Sequence, residues 1–210
     1  MNTRTKPSGV VMNSLIRLAI ALVLITQLAG CAALVIGGVA ATGFAVHDRR
    51  SVGTVVDDNV LEVRVRAALY RHDKFNNDEV RVKINAYNGW VLLAGEAVDE
   101  DRVALAGRAT SEVPGVTRLF NELAPMQRSG PGRSTSDRWL STRVNGSLTG
   151  IRDLPGFDPT RVKVVSARGI IYLMGELSPE EAEAVIDRAR TVRGVERVVT
   201  LLQLPDETSG

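Results

Sequence analysis

One segment occurs twice in this chain, and it restricts the fold more than any other feature. Residues 161–176 read Arg-Val-Lys-Val-Val-Ser-Ala-Arg-Gly-Ile-Ile-Tyr-Leu-Met-Gly-Glu. Residues 81–96 read Arg-Val-Lys-Ile-Asn-Ala-Tyr-Asn-Gly-Trp-Val-Leu-Leu-Ala-Gly-Glu, with Arg, Val, Lys, the central Gly, Leu and the closing Gly-Glu in register. In the first copy Val80, Val82, Ile84 and Ala86 alternate with Arg81, Lys83 and Asn85, the period of two expected of a half-buried strand. Asn88-Gly89, and Arg168-Gly169 in the second copy, supply the left-handed backbone of a two-residue hairpin turn. The returning strands, residues 90–94 and 170–174, are apolar on both faces and read as inner or doubly covered strands. A lone hairpin is marginal in water, so the flanking segments must complete two small cores.

The flanks repeat as well. Leu61, Val65 and Leu69 lie at i, i+4 and i+8, one stripe of a helix opening at Asp57-Asp58, and Leu140, Val144 and Leu148 match them on a helix opening at Asp137. Residues 72–78 read as a polar connection from the first of these helices to its hairpin. After the first hairpin a helix starts near Asp99, with Glu100 and Asp101 in its positively polarised first turn. Its expected buried stripe is Leu105, Ala106, Ala109 and Val113. After the second hairpin, Ser178-Pro179-Glu180-Glu181 has the cap, first-turn proline and closing glutamate of a capping box. Ala182, Val185, Ile186, Ala189 and Val192 follow at helical spacing. Gly115-Val-Thr-Arg-Leu119 and Gly194-Val-Glu-Arg-Val198 then open a third strand in each copy. The order α-β-β-α-β occurs twice, in segments 57–124 and 137–204, separated by a Pro/Gly/Ser linker at 125–136, with a tail at 205–210. The connection from second to third strand is a crossover, so these strands run parallel and each three-stranded sheet is mixed. The fold class is α+β: two tandem αββαβ domains, each a mixed sheet against two helices.

The N-terminus reads as an export signal over residues 1–30: a basic start, an apolar run at 18–25, then Leu28-Ala29-Gly30-Cys31. Met12 is an alternative start that gives a more usual basic region. Residues 28–31 resemble a bacterial lipobox, which implies that Cys31 is diacylated and becomes the mature N-terminus. Residue 32 is Ala rather than Asp, which by the same resemblance points to the outer membrane. Cys31 is the only cysteine, which excludes an internal disulfide. The rival reading is a chance cysteine in a secretory signal or in a membrane span continued by residues 32–46. That stretch is small and Gly-rich, however, and reads as part of a tether covering 31–56. The formal charge of +2 is carried by Arg4, Lys6 and Arg17; beyond them the count is 23 basic against 24 acidic residues, which gives no support to nucleic-acid binding.

Two units, each with Gly-x5-Gly-Glu in its hairpin and Gly-Val-x-Arg after its second helix, resemble the BON domain. With the lipobox, and with Arg50-Ser-Val-Gly-Thr leading into Asp57-Asp58 and Leu61-Glu-Val-Arg-Val65, the chain is similar to the dual-BON-domain outer-membrane lipoproteins over roughly residues 28–204. The resemblance implies an outer-membrane-anchored protein, on the periplasmic face, that recognises phospholipid and helps keep the outer membrane intact. The competing class is a periplasmic adaptor serving envelope assembly or division proteins without direct lipid recognition.

No phosphate-binding glycine loop, nucleophile elbow or zinc-ligand spacing occurs, and neither His47 nor His72 has a second imidazole or a thiol near it in sequence. Asp99, Glu100 and Asp101 are explained by a helix start, and Gly95 and Gly175 by close backbone packing. The expectation is a non-enzyme with no cofactor or metal site, a monomer whose partner is an anionic phospholipid membrane. The expected contact residues lie on the second domain's first helix. Trp139 sits about 100° from the buried Leu140 and one turn before Arg143, a pairing suited to headgroup depth. Trp139, Thr142, Arg143 and Asn145 are expected to face anionic headgroups, with Arg138 and the loop at 151–154 beside them. The rival reading is that Trp139 staples its helix or packs on the first domain. Val60 stands at the equivalent place in the first domain, with Glu62 on the same helix, which reads as a poorer lipid surface.

Overall fold

The computed structural model describes residues 52–76 and 80–205. The segment expected to be an export signal, Cys31 and nearly all of the expected tether lie outside the described residues. Residues 47–210 belong to one compact unit. Its elements are α1 (Val52–Tyr70), β1 (Arg81–Tyr87), β2 (Trp90–Ala97), α2 (Glu100–Ser111), β3 (Arg118–Pro125), α3 (Pro131–Leu148), β4 (Lys163–Ala167), β5 (Ile170–Glu176), α4 (Pro179–Arg190) and β6 (Arg197–Gln203). The architecture is α+β, with two three-stranded sheets ordered β1-β2-β3 and β4-β5-β6. In each, the hairpin pair is antiparallel and the crossover pair parallel.

The local signals act as their chemistry requires. Both central residues of each hairpin turn have positive φ: 48° and 75° at Asn88-Gly89, 58° and 76° at Arg168-Gly169. That is the twist which lets two right-handed strands pair across two residues. Asp99 caps α2 by accepting from the Arg102 N–H. Ser178 and Glu181 form the reciprocal capping box of α4, with Pro179 in the first turn. Gly95 has φ 134°, and a Cβ there would stand 2.0 Å from the Arg81 carbonyl oxygen. Its counterpart Gly175 would place a Cβ 2.9 Å from the Arg161 carbonyl oxygen. Both glycines mark places where strands approach too closely for a side chain.

Two helices start earlier than the apolar stripes suggest. α1 begins at Val52 rather than Asp57, and α3 at Pro131 rather than Asp137, so the second half of the Pro/Gly/Ser stretch is helical. Proline is tolerated at the first helical position. The Thr135 and Ser136 hydroxyls donate to the carbonyls of Pro131 and Gly132 one turn back, so they support the turn instead of breaking it. The polar connection after α1 also holds a short 3-10 turn (Asp73–Phe75) that buries Phe75 in the first core.

Three cores form rather than two. Leu61, Val65 and Leu69 of α1 and Ala106 and Ala109 of α2 pack on Ile84, Val91 and Leu93. Leu140, Val144 and Leu148 of α3 and Val185 and Ala189 of α4 pack on Ile171 and Leu173. The third core joins the opposite faces of the two sheets: Tyr87, Leu92 and Ala94 against Val165, Ala167, Ile170, Tyr172, Met174 and Leu201. This unit is therefore four layers, helices–sheet–sheet–helices, and β2 and β5 are covered on both faces because each lies between its own helices and the other sheet.

Polar groups tie the sheets together reciprocally. The Lys83 ammonium donates to the Ser166 carbonyl, and the equivalent Lys163 donates to the Ala86 carbonyl at 3.1 Å. Lys83 also lies 3.8 Å from Asp137 on α3, and Lys163 2.6 Å from Glu62 on α1. The Tyr87 hydroxyl oxygen accepts from the Glu176 N–H at 3.0 Å, and the Asn88 side-chain amide donates to Gln203 at 2.9 Å. Burial lowers the Lys83 pKa; Asp137 works against that shift, and Arg81 and Arg138 add to it.

Candidate membrane-contact surface

α3 buries Leu140, Val144 and Leu148 and turns its remaining sides to solvent. Trp139 is 65% exposed, the one large apolar side chain exposed on this helix among the described residues. Arg138, Thr142 and Asn145 are exposed at i, i+4 and i+7 and share one face. Trp139 and Arg143, one turn apart, run beside that face, and Arg143 is exposed too. All five residues therefore lie on one broad outer side. The Thr142 hydroxyl is engaged with the Arg138 carbonyl at 3.0 Å. The loop after the helix contributes less than its composition suggests, because Ile151 and Leu154 are only half-exposed and Ile151 packs against the second core.

The charge of this side follows from where the carboxylates go. Asp137 is the only acid in α3, and it is buried. Its two oxygens accept from the Arg168 and Gly169 N–H groups, both at 3.3 Å, at the hairpin turn of its own domain. The exposed side of α3 thus carries Arg138 and Arg143 with no acid of its own helix beside them. Glu196 lies across a shallow hollow from Arg143, which also leans over Gly194.

Asp58 does the same work in the first repeat, accepting from the Asn88 and Gly89 N–H groups at 2.8 and 3.0 Å. A buried carboxylate holding both amides of a tight turn explains why an acid stands inside each first helix. The signal was available in the sequence: each acid precedes its hairpin glycine by nearly the same interval, 31 residues in one copy and 32 in the other.

The sequence of the BON domain family matches residues 57–124 and again 136–206. This chain is a BON-domain protein. It is 33% identical over 195 residues to the outer membrane lipoprotein DolP of Haemophilus influenzae, covering 93% of this chain and 99% of that protein. It is 37% identical over 155 residues to the 21 kDa hemolysin of Actinobacillus pleuropneumoniae, covering 74% of this chain and 78% of the relative. A solved structure of CdsD, a structural protein of the type III secretion system of Chlamydia trachomatis, aligns at TM-score 0.25 and 12% identity, over 69% of this chain and 92% of that one. At that level it adds nothing about the fold. The likeness to DolP supports an outer-membrane-associated envelope lipoprotein, and no catalytic family is indicated.

His72 is exposed, and among the described residues no three metal-ligating side chains gather. Asp99 is occupied as a cap, and the backbone N–H of Arg102 holds its carboxyl below the usual carboxylate range. No helix among the described residues is long and apolar enough to cross a membrane.

Glu62 does not share the outer surface of α1 with Val60. Its carboxylate accepts from Lys163 of the second BON domain and from the Ala86 N–H of its own domain's β1, the latter at 2.8 Å. Val60 is 41% exposed, without that charge beside it.

Proposed function

We propose that this protein is held on the periplasmic face of the outer membrane by acylation at Cys31, binds anionic phospholipid through α3 of its second BON domain, and helps maintain outer-membrane integrity. The observation that carries the lipid reading is Trp139, 65% exposed on a helix whose only carboxylate is buried. An indole at headgroup depth with Arg138 and Arg143 beside it satisfies the apolar ring and the polar N–H together. Thr142 and Asn145 supply neutral hydrogen-bonding groups on the adjoining face. Each arginine near an anionic surface contributes about 1 kcal/mol, so binding is spread over several contacts and weakens with salt.

The test is vesicle co-sedimentation of the 47–210 unit with phosphatidylglycerol-containing and zwitterionic vesicles. Trp139→Glu is expected to lose binding to the anionic vesicles while keeping its melting temperature, because the side chain is exposed. Normal binding by this variant would overturn the lipid reading. In the full chain, Cys31→Ala is expected to abolish palmitate labelling and release the protein from the membrane fraction; a variant that still labels refutes the anchor.

A further inference from the structure

α1 presents a second outer face that the lipid reading leaves unused. Seven large apolar side chains are exposed among the described residues, and four of them, Val56, Val60, Val63 and Tyr70, lie on this helix. With the exposed Ala67 they fall at intervals of 4, 3, 4 and 3 residues. That is the spacing of a seam that packs against another helix. At the equivalent places the second domain has Thr135, Trp139, Thr142 and Gly146 on α3 and Thr149 just after it, so the stripe is specific to the first BON domain.

The flanks of the stripe are basic. Arg64, Arg66 and Arg71 are all exposed along it, against one exposed acid of the same helix, Asp57, near its start. The other two acids of α1 are turned away: Asp58 is buried on its hairpin turn, and Glu62 is tied to Lys163. At its C-terminal end the stripe borders an open hollow of about 460 Å³ between α1 and the end of α2, lined by Ala67, Ala109, Val113 and Pro114, with Arg64, Arg71 and His72 at its sides and Glu112 of the α2 end as its one carboxylate. A concavity of this kind accepts a protruding side chain, which a bilayer surface does not offer.

We propose that this face of α1 docks an amphipathic protein helix with acidic flanks, whose apolar side chains lie along Val56, Val60, Val63 and Tyr70 and into the hollow, and whose carboxylates meet Arg64, Arg66 and Arg71. The choice of a protein over the bilayer rests partly on the lipid reading of α3. The two helices occupy opposite outer layers of the four-layer unit, so with α3 on a membrane α1 lies in the layer remote from it. A second copy docked through α1 is disfavoured, because antiparallel α1 seams paired about their middle bring Arg64 against Arg64.

The test uses the 47–210 unit, which contains all three cores within its own sequence. Two labelled synthetic peptides with leucine at the seam positions, one flanked by Glu and one by Lys, are compared by fluorescence anisotropy. The Glu-flanked peptide is expected to bind at least tenfold tighter. Val60→Glu with Val63→Glu should cost at least tenfold in its affinity with no change in melting temperature, and Arg64→Glu with Arg71→Glu should reverse the preference. Trp139→Glu should leave peptide binding unchanged, so failure of the lipid reading is seen separately in the vesicle assay. Equal affinity for the two peptides, or no binding of either, overturns the proposal. So does loss of anionic-vesicle binding in the Val60 and Val63 variant, which would assign the face to a membrane, or a concentration-dependent dimer abolished by Val63→Glu, which would assign it to a second copy.

Discussion

Leu92 and Leu93 are adjacent on β2, both fully buried, and they answer to different neighbours. Leu93 belongs to the core under α1 and α2, whereas Leu92 belongs to the core between the two sheets. In the 47–210 unit, Leu92→Ala and Leu93→Ala should each cost about 3 kcal/mol, because both remove a packed isobutyl group from a site that collapses only partly. In the first BON domain produced alone, residues 52–125, the covering side chains of β4, β5 and β6 are gone. Leu92 is then a surface residue whose truncation costs about 0.5 kcal/mol or less, while Leu93→Ala still costs about 3 kcal/mol. Urea titrations followed by circular dichroism, with the slope checked for each variant, give these differences directly. The intact unit should melt in one transition, since the shared core couples its halves. If Leu92→Ala and Leu93→Ala cost the isolated domain equally, the assignment of the two faces of β2 is wrong.

Two further outcomes follow from the geometry. Gly95→Ala should cost upwards of about 3 kcal/mol, because φ there is 134° and the new Cβ meets a backbone oxygen at 2.0 Å; Gly175→Ala, without the left-handed backbone and with 2.9 Å to its oxygen, should cost about 1 to 2 kcal/mol. Denaturant midpoints of the two variants decide this, and equal losses would refute it. Asp99 has a folded pKa below the unfolded value of 3.8, so its contribution is fully present above that value and is lost as the pH falls through the lowered one. The difference in urea midpoint between the parent and Asp99→Ala should therefore be constant near neutrality and disappear in acid; a difference that persists in strong acid would show that the cap does not act through its ionised carboxylate.

Much of this protein is written locally. The hairpins follow from Asn88-Gly89 and Arg168-Gly169, the start of α4 from its capping box, and the parallel third strands from the helical crossover that joins each to the second strand. The five residues expected on the outer side of α3 lie there because the positions of Leu140, Val144 and Leu148 leave that side to solvent. Each of these inferences depends on residues within one element or its immediate connection, where steric and hydrogen-bonding rules act at short range. Tertiary structure decided the rest. A strand apolar on both faces announces that both will be covered, but the pattern at residues 90–94 carries no information about the partner, which is the other domain's sheet. Glu62 is legible as a charge on the first helix, but its partner Lys163, about a hundred residues away in sequence and in the second domain, is not. Periodicity records how often a side chain must leave water; which distant group meets it there depends on how the chain closes on itself, and that is set by the packing of the whole unit.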